Sequence, residues 1–270
     1  METAYVTTLC NGDGYVPGVE ALGKSLDLTG TRRPKVVLVT PDVPHGARAL
    51  LSSQGWWIRD IDPIKNPNED GQRLFSRFAN TFTKLRAFAL TEFSKVVLLD
   101  ADTIVIKNID DLFERPAPAA APDFLLPDHF NSGVMVVDPS ELTFARMMEQ
   151  LFTSGSYDGG DQGFLNSFFP DWYHLPAGHR LPTGYNMHHF IYQFLRAHPG
   201  LAAHVEGRAK IIHYTVQKPW RSKPTLTGGS KEWWGMYFDL HPEADSPWMR
   251  RVHAMEDWSF DRALKALLSS

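Results

Sequence analysis

Short apolar runs that end abruptly alternate along this chain with longer stretches whose apolar residues recur at helical spacing. Residues 4–9 (Ala-Tyr-Val-Thr-Thr-Leu), 35–39 (Lys-Val-Val-Leu-Val) and 95–99 (Lys-Val-Val-Leu-Leu) are rich in β-branched side chains and predict strands, with further strands at 133–137 and 209–213. Between them, residues 15–27 and 80–93 read as helices, while Pro41, Pro44 and the Pro/Ala stretch 116–122 punctuate loops. Such alternation predicts an α/β fold with a mostly parallel central sheet. Open sheets of this kind bind ligands at the carboxyl ends of their strands, which singles out Asn11, Asp100, Asp102 and His213. No repeat or linker divides the chain, so residues 1–270 read as a single domain with 221–270 as a C-terminal helical extension of it.

Composition narrows the function classes. With 270 residues, 43% of them hydrophobic, the chain can bury one core and still carry a cleft. A net charge of -4, from Lys+Arg 27 against Asp+Glu 31, gives no electrostatic case for nucleic acid or an anionic membrane. An anionic ligand would need local cations. Cys10 is the single cysteine, which excludes an internal disulfide framework. The start has no basic segment followed by an apolar one, and no 18-residue apolar run occurs. The expectation is a cytoplasmic protein without a membrane span.

Asp100-Ala-Asp102 follows a buried strand, so two carboxylates sit at its mouth. Hard oxygen donors suit Mg²⁺ or Mn²⁺, which could bridge to a diphosphate; two solvated loop aspartates are the plainer alternative. His213, on another predicted strand, would add an imidazole nitrogen and tilt the set toward Mn²⁺, or serve as a hydrogen-bonded structural residue. Lys218, stiffened by Pro219, offers a point charge for phosphate or is an ordinary surface lysine. In Asp158-Gly-Gly-Asp-Gln-Gly163 a tight turn lets Asp158, Asp161 and Gln162 face one small polar ligand such as a hexose. Its structural alternative is a turn into a helix capped by Asp161.

The order and spacing of these segments resemble the glycogenin-like glycosyltransferases of family 8 across nearly the whole chain. The resemblance is carried by Thr-Lys-Leu at 83–85, Leu-Asp-Ala-Asp-Thr at 99–103, Asn-Ile-Asp-Asp-Leu-Phe at 108–113 and Phe-Asn-Ser-Gly-Val at 130–134. Asp-Gly-Gly-Asp-Gln-Gly at 158–163, Tyr185-Asn186 and Lys-Pro-Trp at 218–220 complete it. It implies a GT-A fold acting on a UDP-sugar with Mn²⁺, or Mg²⁺ in its place, and retention at the anomeric carbon. By motif, Asp100, Asp102 and His213 would hold the metal. Thr8, Asn11, Tyr15, Asp100, Ala101 and Lys218 would hold the nucleotide, and Lys84, Asn131, Asp158, Asp161 and Gln162 the sugar. Asp161, with Asp158, would stand nearest the reaction.

Departures bear on the acceptor. Self-glucosylating glycogenins carry Ile-Tyr-X-Tyr soon after Tyr-Asn, whereas this chain reads Phe190-Ile-Tyr-Gln-Phe194, leaving Tyr192 as the one tyrosine of that segment. A separate hydroxyl acceptor, whether glycan, protein or small molecule, is expected, with room for a homodimer. Self-glucosylation on Tyr192 is the alternative. From another class, Leu-Leu-Asp-Ala-Asp-Thr also reads like a haloacid-dehalogenase-type phosphatase with Asp100 as nucleophile, although some ninety residues of α/β precede it. A nucleotide-sugar-binding protein without catalysis is a third reading. Trp233, Trp234 and Tyr237 read as helix-packing surface more than as an acceptor platform.

Overall fold

The computed structural model describes residues 2–67, 80–221 and 230–241. Its centre is a six-stranded sheet of β1 (Glu2–Leu9), β2 (Lys35–Val39), β3 (Trp56–Asp60), β4 (Phe93–Leu99), β6 (Ala119–Pro122) and β7 (Phe130–Val137), in the order β3-β2-β1-β4-β7-β6. The four strands β3, β2, β1 and β4 run parallel, and β7 lies antiparallel to both β4 and β6. Every residue of β2 and β7 is buried, as expected where helices cover both faces and the strand sequence is largely apolar. One apolar cluster on one face gathers Leu22, Val37, Val97 and Leu112, and another on the opposite face gathers Val36, Leu98, Phe130 and Trp172.

A smaller sheet stands beside the carboxyl end of β4: β5 (Thr103–Val105) pairs antiparallel with β9 (Ile211–His213), which pairs parallel with β8 (Met187–His188). The helices are α1 (Val16–Leu28), α2 (His45–Ser53), α3 (Glu141–Gln150), α4 (Asp161–Phe168), α5 (His189–Arg196), α6 (Pro199–Arg208) and α7 (Ser230–Leu240). The last lies against α1, where Trp233 and Trp234 are buried and Tyr237 stacks on Trp233 at 5.1 Å, so these rings serve packing. Of the expected extension 221–270, residues 222–229 and 242–270 lie outside the described residues.

The expected α/β class holds, and several elements differ in detail. The predicted helix 80–93 is a 3₁₀ helix over Thr81–Ala89, and β4 already begins at Phe93. Burying Phe82, Leu85 and Phe88 against the sheet favours the tighter winding there. The Pro/Ala stretch hides β6, whose small side chains and terminal Pro122 suit a sheet edge. The predicted strand 209–213 is shorter and belongs to the small sheet. That places His213 across from Thr103, three residues beyond Asp100.

Candidate active site

The chain bends sharply where β4 ends, and this bend is pinned on both sides. The Asp100 amide donates to the Gly133 carbonyl at 2.9 Å, and the Asp102 carbonyl accepts from the Tyr214 amide at 2.9 Å. The two carboxylates are therefore fixed between β7 and β9. His213 Nε2 lies 3.3 Å from Asp102 Oδ1 and 3.9 Å from Asp100 Oδ2, and one potential ligand atom of each of the three lies within 4.8 Å of the others. Gly133 makes this approach possible: a Cβ there would stand 2.2 Å from His213 Cε1.

The donor chemistry fits a divalent cation. Asn186 Nδ2 donates to Asn131 Oδ1 at 2.8 Å, which turns Asn186 Oδ1 toward His213 Nδ1, also at 2.8 Å. Nδ1 is thus held as the donor to Asn186, and Nε2 is the ring nitrogen that faces the two carboxylates. A cation between them would meet two carboxylate oxygens and one imidazole nitrogen, a donor set that suits Mn²⁺.

Lys84 ties this centre to the loop before α4. Its ammonium lies 2.7 Å from Asp100 Oδ1 and 2.8 Å from Asp161 Oδ2, and Ser132 Oγ donates to the same Asp161 oxygen at 2.9 Å. Burial alone would favour the neutral amine, but Asp100 and Asp161 outweigh it and raise the Lys84 pKa above its ordinary value. Asp100 shifts upward through burial, against the pull of Lys84. Asp102 is also buried, yet Lys218 and His213 together hold it well below the usual carboxylate range. Lys218 bonds the Asp102 carboxylate directly and donates to the carbonyls of Tyr214 at 2.7 Å and Thr215 at 3.0 Å.

These groups line one cavity of about 360 Å³, which brings together the residues that the resemblance assigns to metal, nucleotide and sugar: Thr8, Asn11, Tyr15, Lys84, Asp100, Ala101, Asp102, Asn131, Asp158, Asp161, Gln162, His213 and Lys218. Thr8 Oγ1 and Thr215 Oγ1, both on residues that line the cavity, are buried without a hydrogen-bond partner among the described residues, as expected of groups that await a ligand. Asn11 holds a left-handed backbone, φ 64°, and its side-chain oxygen accepts from Asn80. Tyr15 meets Trp220 edge-on at 5.4 Å.

The loop before α4 removes the structural alternative of a helix capped by Asp161. The helix cap position is Gly160, with Asp161 as the first helical residue, and the capping is done by Asp158. Asp158 Oδ1 accepts from the amides of Gly160 at 2.9 Å and Gly163 at 3.0 Å and from Ser156 Oγ at 2.8 Å. Asp161 is thereby free of the capping role, and its Oδ1 has no protein partner among the described residues.

Sequence reasoning gave no role to Asp123, Ser132, Asn186 or Gly133. Asp123 Oδ2 accepts from Asn131 at 3.2 Å and Gln162 at 3.3 Å, and so orients both amides. Ser132, Gly133 and Asn186 stand inside motifs already singled out, which was the available signal; Asp123 carries none. Tyr192, the proposed self-acceptor, is 3% exposed within α5 and does not line the cavity, while Phe194 beside it is exposed.

Comparison with known proteins agrees with this geometry. The Glycosyl transferase family 8 model matches residues 115–223, and a mannosyltransferase family model matches 37–117. Glycogenin-1 of Caenorhabditis elegans is 38% identical over 246 residues, 89% of this chain and 56% of that protein. Inositol phosphorylceramide glucuronosyltransferase 1 of Arabidopsis thaliana is 40% identical over 238 residues, 81% of this chain and 42% of that protein. The chain thus spans about half the length of these curated relatives. Among solved structures, the apo WbbM bifunctional glycosyltransferase superposes with a TM-score of 0.65 at 20% identity, over 94% of this chain and 51% of that one, which speaks to the fold. Together these observations set the phosphatase reading aside, and the chain belongs to glycosyltransferase family 8 as a glycogenin-like member with a GT-A fold.

Proposed function

We propose that this chain transfers a neutral hexose from a UDP-sugar, with UDP-glucose the first donor to test, to a hydroxyl of a separate acceptor, using Mn²⁺ and retaining the anomeric configuration. The observation that supports this reading is the Lys84 bridge: its ammonium pairs with Asp100 of the candidate metal cluster on one side and, on the other, with Asp161, which this reading turns toward the sugar. A diphosphate fits the first end and the anomeric carbon the second. Asp158 and Asp161 in the cavity wall disfavour a sugar that carries its own carboxylate.

A bound Mn²⁺ would supply positive charge to the departing diphosphate. Lys218 moves from Asp102 to share that load, Thr8 and Thr215 take up the nucleotide with their unpaired hydroxyls, and Asn131 and Gln162 orient the hexose hydroxyls. Asp161, with Oδ2 held by Lys84 and Ser132, is a weakened nucleophile, which favours a stabilising role beside an oxocarbenium-like carbon while the acceptor attacks on the face the nucleotide leaves. Purified protein scored for UDP release across a donor panel, with and without added acceptors, tests the reading; no turnover with any UDP-sugar overturns it.

Lys218→Ala weakens UDP and UDP-glucose binding together, by about 1.5–3 kcal/mol, the scale of a hydrogen bond to a charged group. Calorimetry with both ligands checks this, and an unchanged UDP affinity would confine Lys218 to bracing Asp102. Because the Tyr192 side chain is buried away from the cavity, Tyr192→Phe leaves the products unchanged. Intact-mass spectrometry after incubation with UDP-glucose and Mn²⁺ shows no hexose ladder that depends on Tyr192; one that vanishes in the variant restores the self-glucosylation reading.

A further inference from the structure

A second cleft, of about 320 Å³, lies between the turn that leads into β7, the loop before α4 and the 3₁₀ helix Trp172–His174. Its walls are largely rings. His129 meets Tyr157 edge-on at 5.2 Å, and Tyr173 meets His174 edge-on at 5.7 Å. Trp172 is buried and donates its indole N–H to the His179 carbonyl at 3.2 Å, so it offers the cleft only carbon surface. Tyr157 and Tyr173 are 47% and 46% exposed, high for rings that line a cavity.

Polar atoms are set among these rings. Asp128 Oδ1 pairs with His129 Nδ1 at 3.0 Å, which leaves Oδ2 available. Neither the Tyr173 hydroxyl nor the His174 ring nitrogens have a protein partner among the described residues, and no lysine or arginine lines the cleft. The neighbouring cation, Arg180, lies over the Tyr173 ring at 5.7 Å and donates Nη1 to the Tyr173 and Leu175 carbonyls, so an anionic ligand would find no cation in the lining itself, and an alkyl chain would strand the unpaired polar atoms. A sugar ring satisfies both features, because its C–H face lies on aromatic surface while its hydroxyls donate to a carboxylate and exchange hydrogen bonds with phenol and imidazole.

We propose that this cleft binds a neutral oligosaccharide and serves as a holding subsite for a glycan acceptor, apart from the cavity where transfer occurs. The assignment of a glycan as acceptor rests on the transferase reading above. One residue joins the two places: the Tyr157 hydroxyl accepts from Gln162 Nε2 at 2.9 Å, and Gln162 Oε1 accepts the Ser132 amide at 3.3 Å in the floor of the transfer cavity.

The test is binding rather than transfer. Maltotetraose and xylotetraose are titrated into the wild-type protein, Tyr173→Ala and Asp128→Asn, followed by saturation-transfer NMR and calorimetry. At least one of the two binds in the millimolar range, Tyr173→Ala weakens it about fivefold or more, and Tyr173→Phe, which keeps the ring, retains most of the affinity. UDP affinity and UDP-glucose hydrolysis are unchanged in all three variants. If neither oligosaccharide binds, or if Tyr173→Ala and Asp128→Asn bind as the wild type does, the subsite is overturned. Oligosaccharide binding in a protein that turns over no UDP-sugar would support the subsite and overturn the transferase reading instead.

Discussion

Asp161→Asn lowers the rate of hexose transfer by about a thousandfold or more while UDP binds as it does to the wild type. The expectation comes from how the carboxylate is held. Its Oδ2 accepts from Lys84 and Ser132, and an asparagine oxygen can accept from the same two groups, so the side chain stays in place. What changes is charge: Asp161 loses its negative charge at the point where the sugar becomes positive, and Lys84 retains only Asp100 as a full counter-charge. Such a loss falls on the transition state rather than on the bound nucleotide, so it appears in kcat with UDP affinity intact. The alternative, in which residue 161 mainly starts the helix, predicts a lower melting temperature instead. Because Asp158 caps α4, Asp161→Asn melts close to the wild type, and a large drop in Tm with little change in kcat would return Asp161 to a structural role.

The parts of the site legible in the sequence are those where local pattern and chemistry coincide. Asp100 and Asp102 follow the apolar run 96–99 (Val-Val-Leu-Leu), so their place at a strand end could be read directly, and the glycines between Asp158 and Asp161 announced a turn. Pairwise duties were not legible. Either aspartate of Asp-Gly-Gly-Asp can cap the helix, and only the fold decides that Asp158 takes the amides and leaves Asp161 to Lys84. Asp123 could not be found from its neighbours, because its importance lies in two amides, Asn131 and Gln162, eight and thirty-nine positions away. The strand β6 escaped for a related reason: an Ala/Pro sequence has little strand character of its own, and its pairing with β7 supplies the order.

Chelation abolishes transfer in the wild-type protein, and Asp102→Asn lowers Mn²⁺ affinity at least about a hundredfold with a matching loss of rate. Asp102 is the most committed of the three candidate ligands: one oxygen faces His213 Nε2 at 3.3 Å and the other bonds Lys218. An amide in its place can still accept from Lys218, so the fold is expected to persist. Its neutral oxygen is a poor ligand, and the nearby His213 then has only Asp100 as an anionic companion. Three carboxylates (Asp100, Asp102, Asp161) face two ammonium groups (Lys84, Lys218) here, and removing one of them cancels the surplus negative charge that welcomes a dication. Thermal shift gives a readout independent of activity, since a ligand that binds only the folded state raises its Tm. Added Mn²⁺ raises the Tm of the wild type and leaves that of Asp102→Asn unmoved, while the two proteins melt alike in chelator. Full activity in excess chelator, or an equal Mn²⁺ shift in both proteins, would show that the cluster of Asp100, Asp102 and His213 is a structural network and that the diphosphate charge is met by lysines alone.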